Sequence, residues 1–332
     1  MRRKALSTGV MRPAVIFGLL LGIAAAAAGS ALSAAEQAKP GKKKIVLVAG
    51  RASHGYFSHA HYPGCMLLAK ALNENVPGAQ AVAVRDGWPK DPGILDDAAA
   101  IVVFADGGGG NPMIPHLDEL ERLMQKGVGL AVLHYAVEVP KDQGGKLLLE
   151  WTGGYFEAYW SVNPTWTAKF DKFPDRPITR GVKPFEVLDE WYYHMRFREN
   201  MEGVTAILST VPPDSTRQRP DGPHSNNPTV RARKGMTEHV AWARERPGGG
   251  RGFGFTGGHF HYNWANEGFR KIVLNGIVWV AGLEVPPDGV PSKTPTMEEL
   301  EANQDYPAPK NFNRREVERL LEKWRQESGG GK

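Results

Sequence analysis

The stretch Gly250–Trp264, Gly-Arg-Gly-Phe-Gly-Phe-Thr-Gly-Gly-His-Phe-His-Tyr-Asn-Trp, limits the fold more than any other part of the chain. Residues 251–256 alternate small or polar residues with aromatic ones, the pattern of a buried strand. Gly257 and Gly258 then let the backbone turn where a side chain would clash. His259-Phe260-His261 follows. From about Glu267 to Gly282, Phe269, Ile272, Val273, Ile277 and Val280 recur at helical spacing. A strand, a glycine turn, a polar tip and a helix are how α/β proteins build a site at the carboxyl edge of a sheet.

The upstream chain supplies the rest of such a sheet. Lys44–Gly50 is an apolar run suited to a central parallel strand, buried on both faces. A loop with His54, His59 and His61 follows, then a helix with Met66, Leu67, Ala69 and Leu72 inward and Cys65 as a small buried residue. Further strands are predicted over 79–84, 98–105 and 129–133, and a helix over 114–126 ending at Gly127. The order strand–helix–strand–strand–helix–strand predicts a flavodoxin-like α/β sandwich, with a mostly parallel central sheet and helices on both faces. The glycines at 107–110 lack the Lys and Ser/Thr of a phosphate loop. From Trp151 onward aromatics and prolines increase. A strand is expected through Asp189–Phe197, others over 204–211 and 238–243, and a polar excursion over 212–237. Beyond Pro286-Pro287, Thr296 and Glu299 resemble a capping box, and helix 314–327 carries an apolar stripe of Val317, Leu320, Leu321 and Trp324.

Both ends stand apart. Arg2, Arg3 and Lys4 precede an apolar run, Ala14–Ala28, and small residues at 33–35. That pattern predicts a signal peptide over 1–35 and export to the periplasm or beyond, with no membrane span left after cleavage. A linker over 36–43, a domain over 44–285, and a Pro-rich linker with a terminal helix over 286–332 complete the organisation. The leader takes four of the 41 basic residues and none of the 36 acidic ones, leaving 37 against 36, a net charge of +1. The excess charge is therefore no argument for nucleic acid binding. A single cysteine excludes an internal disulfide framework, so a core must stabilise the domain.

Seven of the ten histidines fall at strand ends or glycine loops: His54, His59, His61, His134, His194, His259 and His261. The loops after strands one and four, and before the last helix, share one sheet edge. If extended, His59-x-His61 and His259-x-His261 would each put both imidazoles on one face. The two pairs could supply nitrogen ligands to Zn²⁺ or a similar divalent ion, with Glu138, Glu157, Asp189 or Glu190 completing or orienting the set. Equally, the histidines could hydrogen-bond one another and tyrosines in a polar cleft. They could also move protons near neutral pH, His134 pairing with Glu138 four residues on. Tyr155, Tyr159, Trp160, Trp191, Tyr192 and Trp264 offer flat faces with polar edges that suit sugar rings. Trp166 and Trp279 are expected in the core, Trp160 and Trp264 in the cleft.

Taken together, Ser53-His54-Gly55 to His61, Leu133–Glu138, Gly153-Gly154-Tyr155-Phe156-Glu157, Trp160-Ser161-Val162-Asn163-Pro164, Asp189–His194 and Thr256–His261 resemble the ThuA-like (trehalose-utilisation) family, in its exported branch. The resemblance spans about residues 44–285. It implies a fold similar to class I glutamine amidotransferases, which place a Cys nucleophile on a strand-to-helix elbow and take His and Glu from a later His-x-Glu loop. Here the elbow reads His134 and the loop reads His259-Phe260-His261; the only thiol, Cys65, is elsewhere. Cys-based glutaminase chemistry is not expected. The resemblance implies carbohydrate catabolism: isomerisation, elimination or hydrolysis of a disaccharide or its keto form. His134 and His259 would transfer protons, with Glu190 or Glu138 as orienting or basic carboxylates. His54, His59, Tyr155, Trp160, Tyr192 and Trp264 would bind substrate, and His59, His61, His259 and His261 would hold any metal. A metal-dependent hydrolase using the same histidines, and a non-catalytic carbohydrate-binding protein, are the alternatives.

Overall fold

A computed structural model describes residues 41–329. The expected signal peptide over 1–35 lies outside the described residues. Seven strands form the main sheet: β1 (Lys43–Ala49), β2 (Ala79–Val84), β3 (Ala98–Phe104), β4 (Gly129–Leu133), β9 (Val204–Thr210), β10 (Glu238–Glu245) and β11 (Arg251–Phe255). Their spatial order is β2-β1-β3-β4-β11-β10-β9. The first five are parallel; β10 and β9 add an antiparallel edge. The numbers β5 (Gly154–Tyr155), β6 (Thr165–Phe170), β7 (Phe185–Glu190) and β8 (Arg196–Phe197) denote strands of two small antiparallel ribbons.

Side-chain alternation divides the sheet between two cores, since successive residues of a strand point to opposite faces. Ile45, Leu47 and Ala49 pack with Leu68 and Leu72 of helix α1 (His61–Asn75). Val46 and Val48 pack with Leu120 and Leu123 of helix α2 (Leu117–Gln125), on the face that also holds Leu148 and Trp151 of helix α3 (Lys146–Trp151). Helix α4 (Glu267–Val280), capped by Asn266, covers the first face with Ile272, Val273 and Ile277. Gly254 is required here: a Cβ would meet the Trp242 ring at 2.2 Å.

The strand expected through Asp189–Phe197 is broken. β7 stops at Glu190, and residues 191–195 are held by the Val162–Tyr193 bridge instead of a ladder. His194, at φ 57°, cannot continue an extended strand. The polar excursion folds into a 3₁₀ turn over Asp214–Arg217 and a short helix, Pro228–Ala232, capped by the Asn227 side chain. The capping box forms: Glu299 N–H donates to Thr296 Oγ1 at 3.2 Å, and Thr296 N–H to Glu299 Oε2 at 2.9 Å. Helix α5 (Arg314–Gly329) buries Val317, Leu321 and Trp324 in the core shared with α1 and α4. Among the described residues no helix is long and apolar enough to cross a membrane.

Candidate active site at the carboxyl edge

The carboxyl ends of β1, β3, β4 and β11 run into loops that converge. His134 follows β4 directly, its φ of 54° making the sharp elbow that ends the strand. His59 has φ 46° in the loop after β1, and α1 begins two residues later at His61. His259 follows β11 through Gly257 and Gly258. Gly258 has φ +124°, and a Cβ there would lie 3.2 Å from His134 Cβ, so glycine alone lets the two loops approach. The buried Asp189 carboxylate fixes this turn, accepting the Gly258 N–H at 2.8 Å and the His259 N–H at 3.0 Å.

Three imidazoles and one carboxylate result. His59 Nε2 lies 3.0 Å from His259 Nδ1 and 3.1 Å from His134 Nε2. Glu190 Oε2 lies 3.4 Å from His259 Nδ1 and 3.8 Å from His134 Nε2. The Tyr192 hydroxyl donates to Glu190 Oε2 at 3.2 Å and lies 3.3 Å from His134 Nε2. The outer ring nitrogens are also held. His59 Nδ1 meets Asp106 Oδ1 at 2.7 Å, and His134 Nδ1 meets the Thr256 carbonyl at 2.9 Å. Burial pushes His134 well below the usual imidazole range and lowers His59 despite its carboxylate partner. Burial raises Asp106, but hydrogen bonds from His59 and Ser53 outweigh it and hold the carboxyl at about 2. Burial, then the Glu190 charge, raises the Tyr192 phenol.

A second pair stands at the rim. His224 Nε2 meets Glu138 Oε1 at 3.0 Å, and this bond raises the imidazole against a smaller opposing effect of burial. The Tyr135 ring lies between rim and floor, its centroid 6.1 Å from that of His224 and 6.0 Å from that of His59. The loop carrying His224 is tied down by Tyr159 N–H to the Pro223 carbonyl (2.7 Å) and Asn163 N–H to the His224 carbonyl (2.9 Å).

The two His-x-His pairs are thus divided, against the expectation of an extended pair with both imidazoles on one face. His59 and His259 join the floor. His61 is buried at the start of α1, its Nδ1 meeting the Arg51 carbonyl, and burial holds it at about 4. His261 opens a 3₁₀ turn, packs beside Phe57, and is pushed by burial to about 3. The pair His134–Glu138 does not form, because a 3₁₀ turn over His134–Val137 replaces an α-helix and turns Glu138 toward His224. His54 is half-exposed and stacks on His59 with centroids 3.7 Å apart. Trp264 is in the core against Phe104 and Phe269, not in the cleft. Tyr155 is buried and donates to Glu157, while Trp160 is held between His194 and the Arg196 guanidinium. Cys65 is buried in α1, and burial raises its thiol, so it is no nucleophile. Sequence reasoning passed over Asp106 and His224. Asp106 carried a signal, its place just past β3 on the same edge; His224 lay in a turn-rich segment with no periodicity to place it.

A five-stranded parallel sheet with an antiparallel extension, an elbow after β4 that carries His134, and a histidine loop after β11 define a flavodoxin-like α/β protein with no thiol at its elbow. The chain belongs to the ThuA family (trehalose utilisation), which matches residues 46–280. Two solved structures share the fold. A ThuA-like protein from Parabacteroides merdae has TM-score 0.51 and 15% identity, over 80% of this chain and 98% of that one. A ThuA-like protein from Bacteroides uniformis has TM-score 0.51 and 17% identity, over 74% and 93%. No curated protein matches the chain.

Proposed function

We propose that this chain is an enzyme of carbohydrate catabolism, acting by acid–base chemistry on a disaccharide or its keto form at the carboxyl edge of the sheet, where the His59–His134–His259–Glu190 floor and the His224–Glu138 rim stand. The substrate class rests on the family's trehalose-utilisation description. The chemistry rests on one observation: four ligating or titratable side chains converge within 4.8 Å of one another at a sheet edge, beside a second histidine–carboxylate pair. A binding protein has no need of such a concentration of strained, buried polar groups. The floor polarises a sugar carbonyl or hydroxyl. His224, half-exposed and held by Glu138, gives or takes the proton. Residues 1–35, with their leader pattern, support a place outside the cytoplasm; the N-terminal sequence of the mature protein tests it.

The function is tested on a panel of disaccharides and keto-disaccharides, with products followed by NMR. Turnover is expected, falling about 100-fold or more in His224→Gln and in Glu190→Gln. Sugar binding with no product across the panel would instead favour the non-catalytic reading. Unchanged rates in both variants would remove the cleft from the chemistry.

A further inference from the structure

The tautomers of the floor histidines lead further than their proximity. The Thr256 carbonyl can only accept, so His134 Nδ1 carries the hydrogen and Nε2 a lone pair. Asp106 Oδ1 accepts as well, so His59 Nδ1 carries the hydrogen and Nε2 a lone pair. These two lone-pair nitrogens face each other at 3.1 Å. His259 Nδ1 can relieve one of them by donating to His59 Nε2 at 3.0 Å, and the Tyr192 hydroxyl can serve the other at 3.3 Å. Neither bond removes the contact between the two acceptors. A cation among them does.

We infer that His59 Nε2, His134 Nε2, His259 Nδ1 and a Glu190 carboxylate oxygen bind one divalent transition-metal ion, of which Zn²⁺ is the best match. Zinc takes nitrogens at about 2.0–2.1 Å in tetrahedral array, which sets two such nitrogens about 3.3 Å apart. The floor shows 3.0 and 3.1 Å between His59 and the other two nitrogens and 3.4 and 3.8 Å from those two to the carboxylate oxygen, with all four atoms within 4.8 Å of one another. Three imidazoles with a carboxylate suit zinc and its late first-row neighbours, not Mg²⁺ or Ca²⁺, which prefer all-oxygen sets. The outer contacts are those of a metal site. Asp106 on His59 and the Thr256 carbonyl on His134 fix ring orientation and raise ligand basicity. Asp189, through the Gly258 and His259 amides, sets the backbone that carries the third imidazole. With the ion in place the three imidazoles are ligands, and proton transfer falls to His224 and Glu138.

This inference deepens the proposed function and rests on it for the use of the ion, but binding is measured without substrate. The purified chain is stripped with chelator and titrated with ZnCl₂ by calorimetry. One equivalent per chain is expected, with His259→Gln and Glu190→Gln each weakening binding at least about tenfold. His259 and Glu190 are the more exposed members of the set, so these variants spare the core; melting curves matching wild type confirm it. Asp106→Asn removes a positioning residue that touches no ion. It should weaken binding by about 10- to 100-fold and shift the visible spectrum of the Co²⁺-substituted protein. Substoichiometric zinc in folded wild type, or unchanged affinity in both ligand variants, overturns the inference. Sugar turnover by a protein that binds no zinc would overturn it while leaving the proposed function standing. A bound ion with no turnover on any sugar would support it and reject that function.

Discussion

Two histidine–carboxylate pairs stand on either side of the Tyr135 ring and behave in opposite ways. His59 meets Asp106 at 2.7 Å, and His224 meets Glu138 at 3.0 Å. The bonds are alike, yet the first imidazole is lowered and the second raised. His59 is 2% exposed and His224 is 33% exposed. A carboxylate partner favours the charged ring, and loss of water disfavours it; burial wins on the floor and the partner wins at the rim. One sheet edge therefore offers neutral nitrogens suited to ligation and, across Tyr135, an imidazole suited to carrying a proton.

The floor also hangs on one side chain, Asp189, and this can be broken by mutation. The largest effect is expected from Asp189→Ala. It would strand the amides of Glu190, Gly258 and His259, which now donate to that carboxylate at 2.8 to 3.0 Å. A loss of about 3 kcal/mol or more is expected in urea unfolding; a loss under about 1 kcal/mol would show that the turn is held by something else. Next comes a pair of glycines. Gly258→Ala forces a Cβ into a φ of +124° beside His134 and should cost about 1–3 kcal/mol. Gly109→Ala, near the rim, meets open space and should stay within about 0.5 kcal/mol. Equal melting shifts for the two would remove the contrast between floor and rim.

The smallest effect is electrostatic. Because the folded-state pKa of His224 is raised, its pair with Glu138 contributes stability fully below the unfolded value, about 6.5, and loses it as pH rises through the raised value. For so exposed a ring the contribution is roughly 0.5 kcal/mol. NMR titration of the His224 ring should give a midpoint above about 6.5 that falls in Glu138→Gln. A midpoint indifferent to that substitution would leave the rim histidine without its carboxylate control.

Much of this was legible in the residues. Apolar runs at 44–50, 98–105 and 129–133 state buried parallel strands, and the glycine-histidine loop after Phe255 states a site at their carboxyl edge. At the elbow, where a cysteine nucleophile would stand, the residue is His134, and that was legible as well. Pairings within the site were less legible. A His-x-His spacing puts two rings on one face only if the backbone is extended, and here His59 sits at φ 46° while His61 begins a helix. Glu138 was placed with His134 by helical spacing, but a 3₁₀ turn gave it to His224, 86 residues away.

The sequence by itself determined the sheet, its two cores and the loops that carry the histidines, because strand and helix periodicities are local properties of the chain. Only the tertiary structure decided which histidines meet. His59 and His259 are 200 positions apart, and their contact depends on the parallel pairing of β4 with β11 and on left-handed backbone at His59, His134 and Gly258. Periodicity does not encode either of these. They follow from packing and from the buried carboxylate of Asp189, which holds the last loop in place.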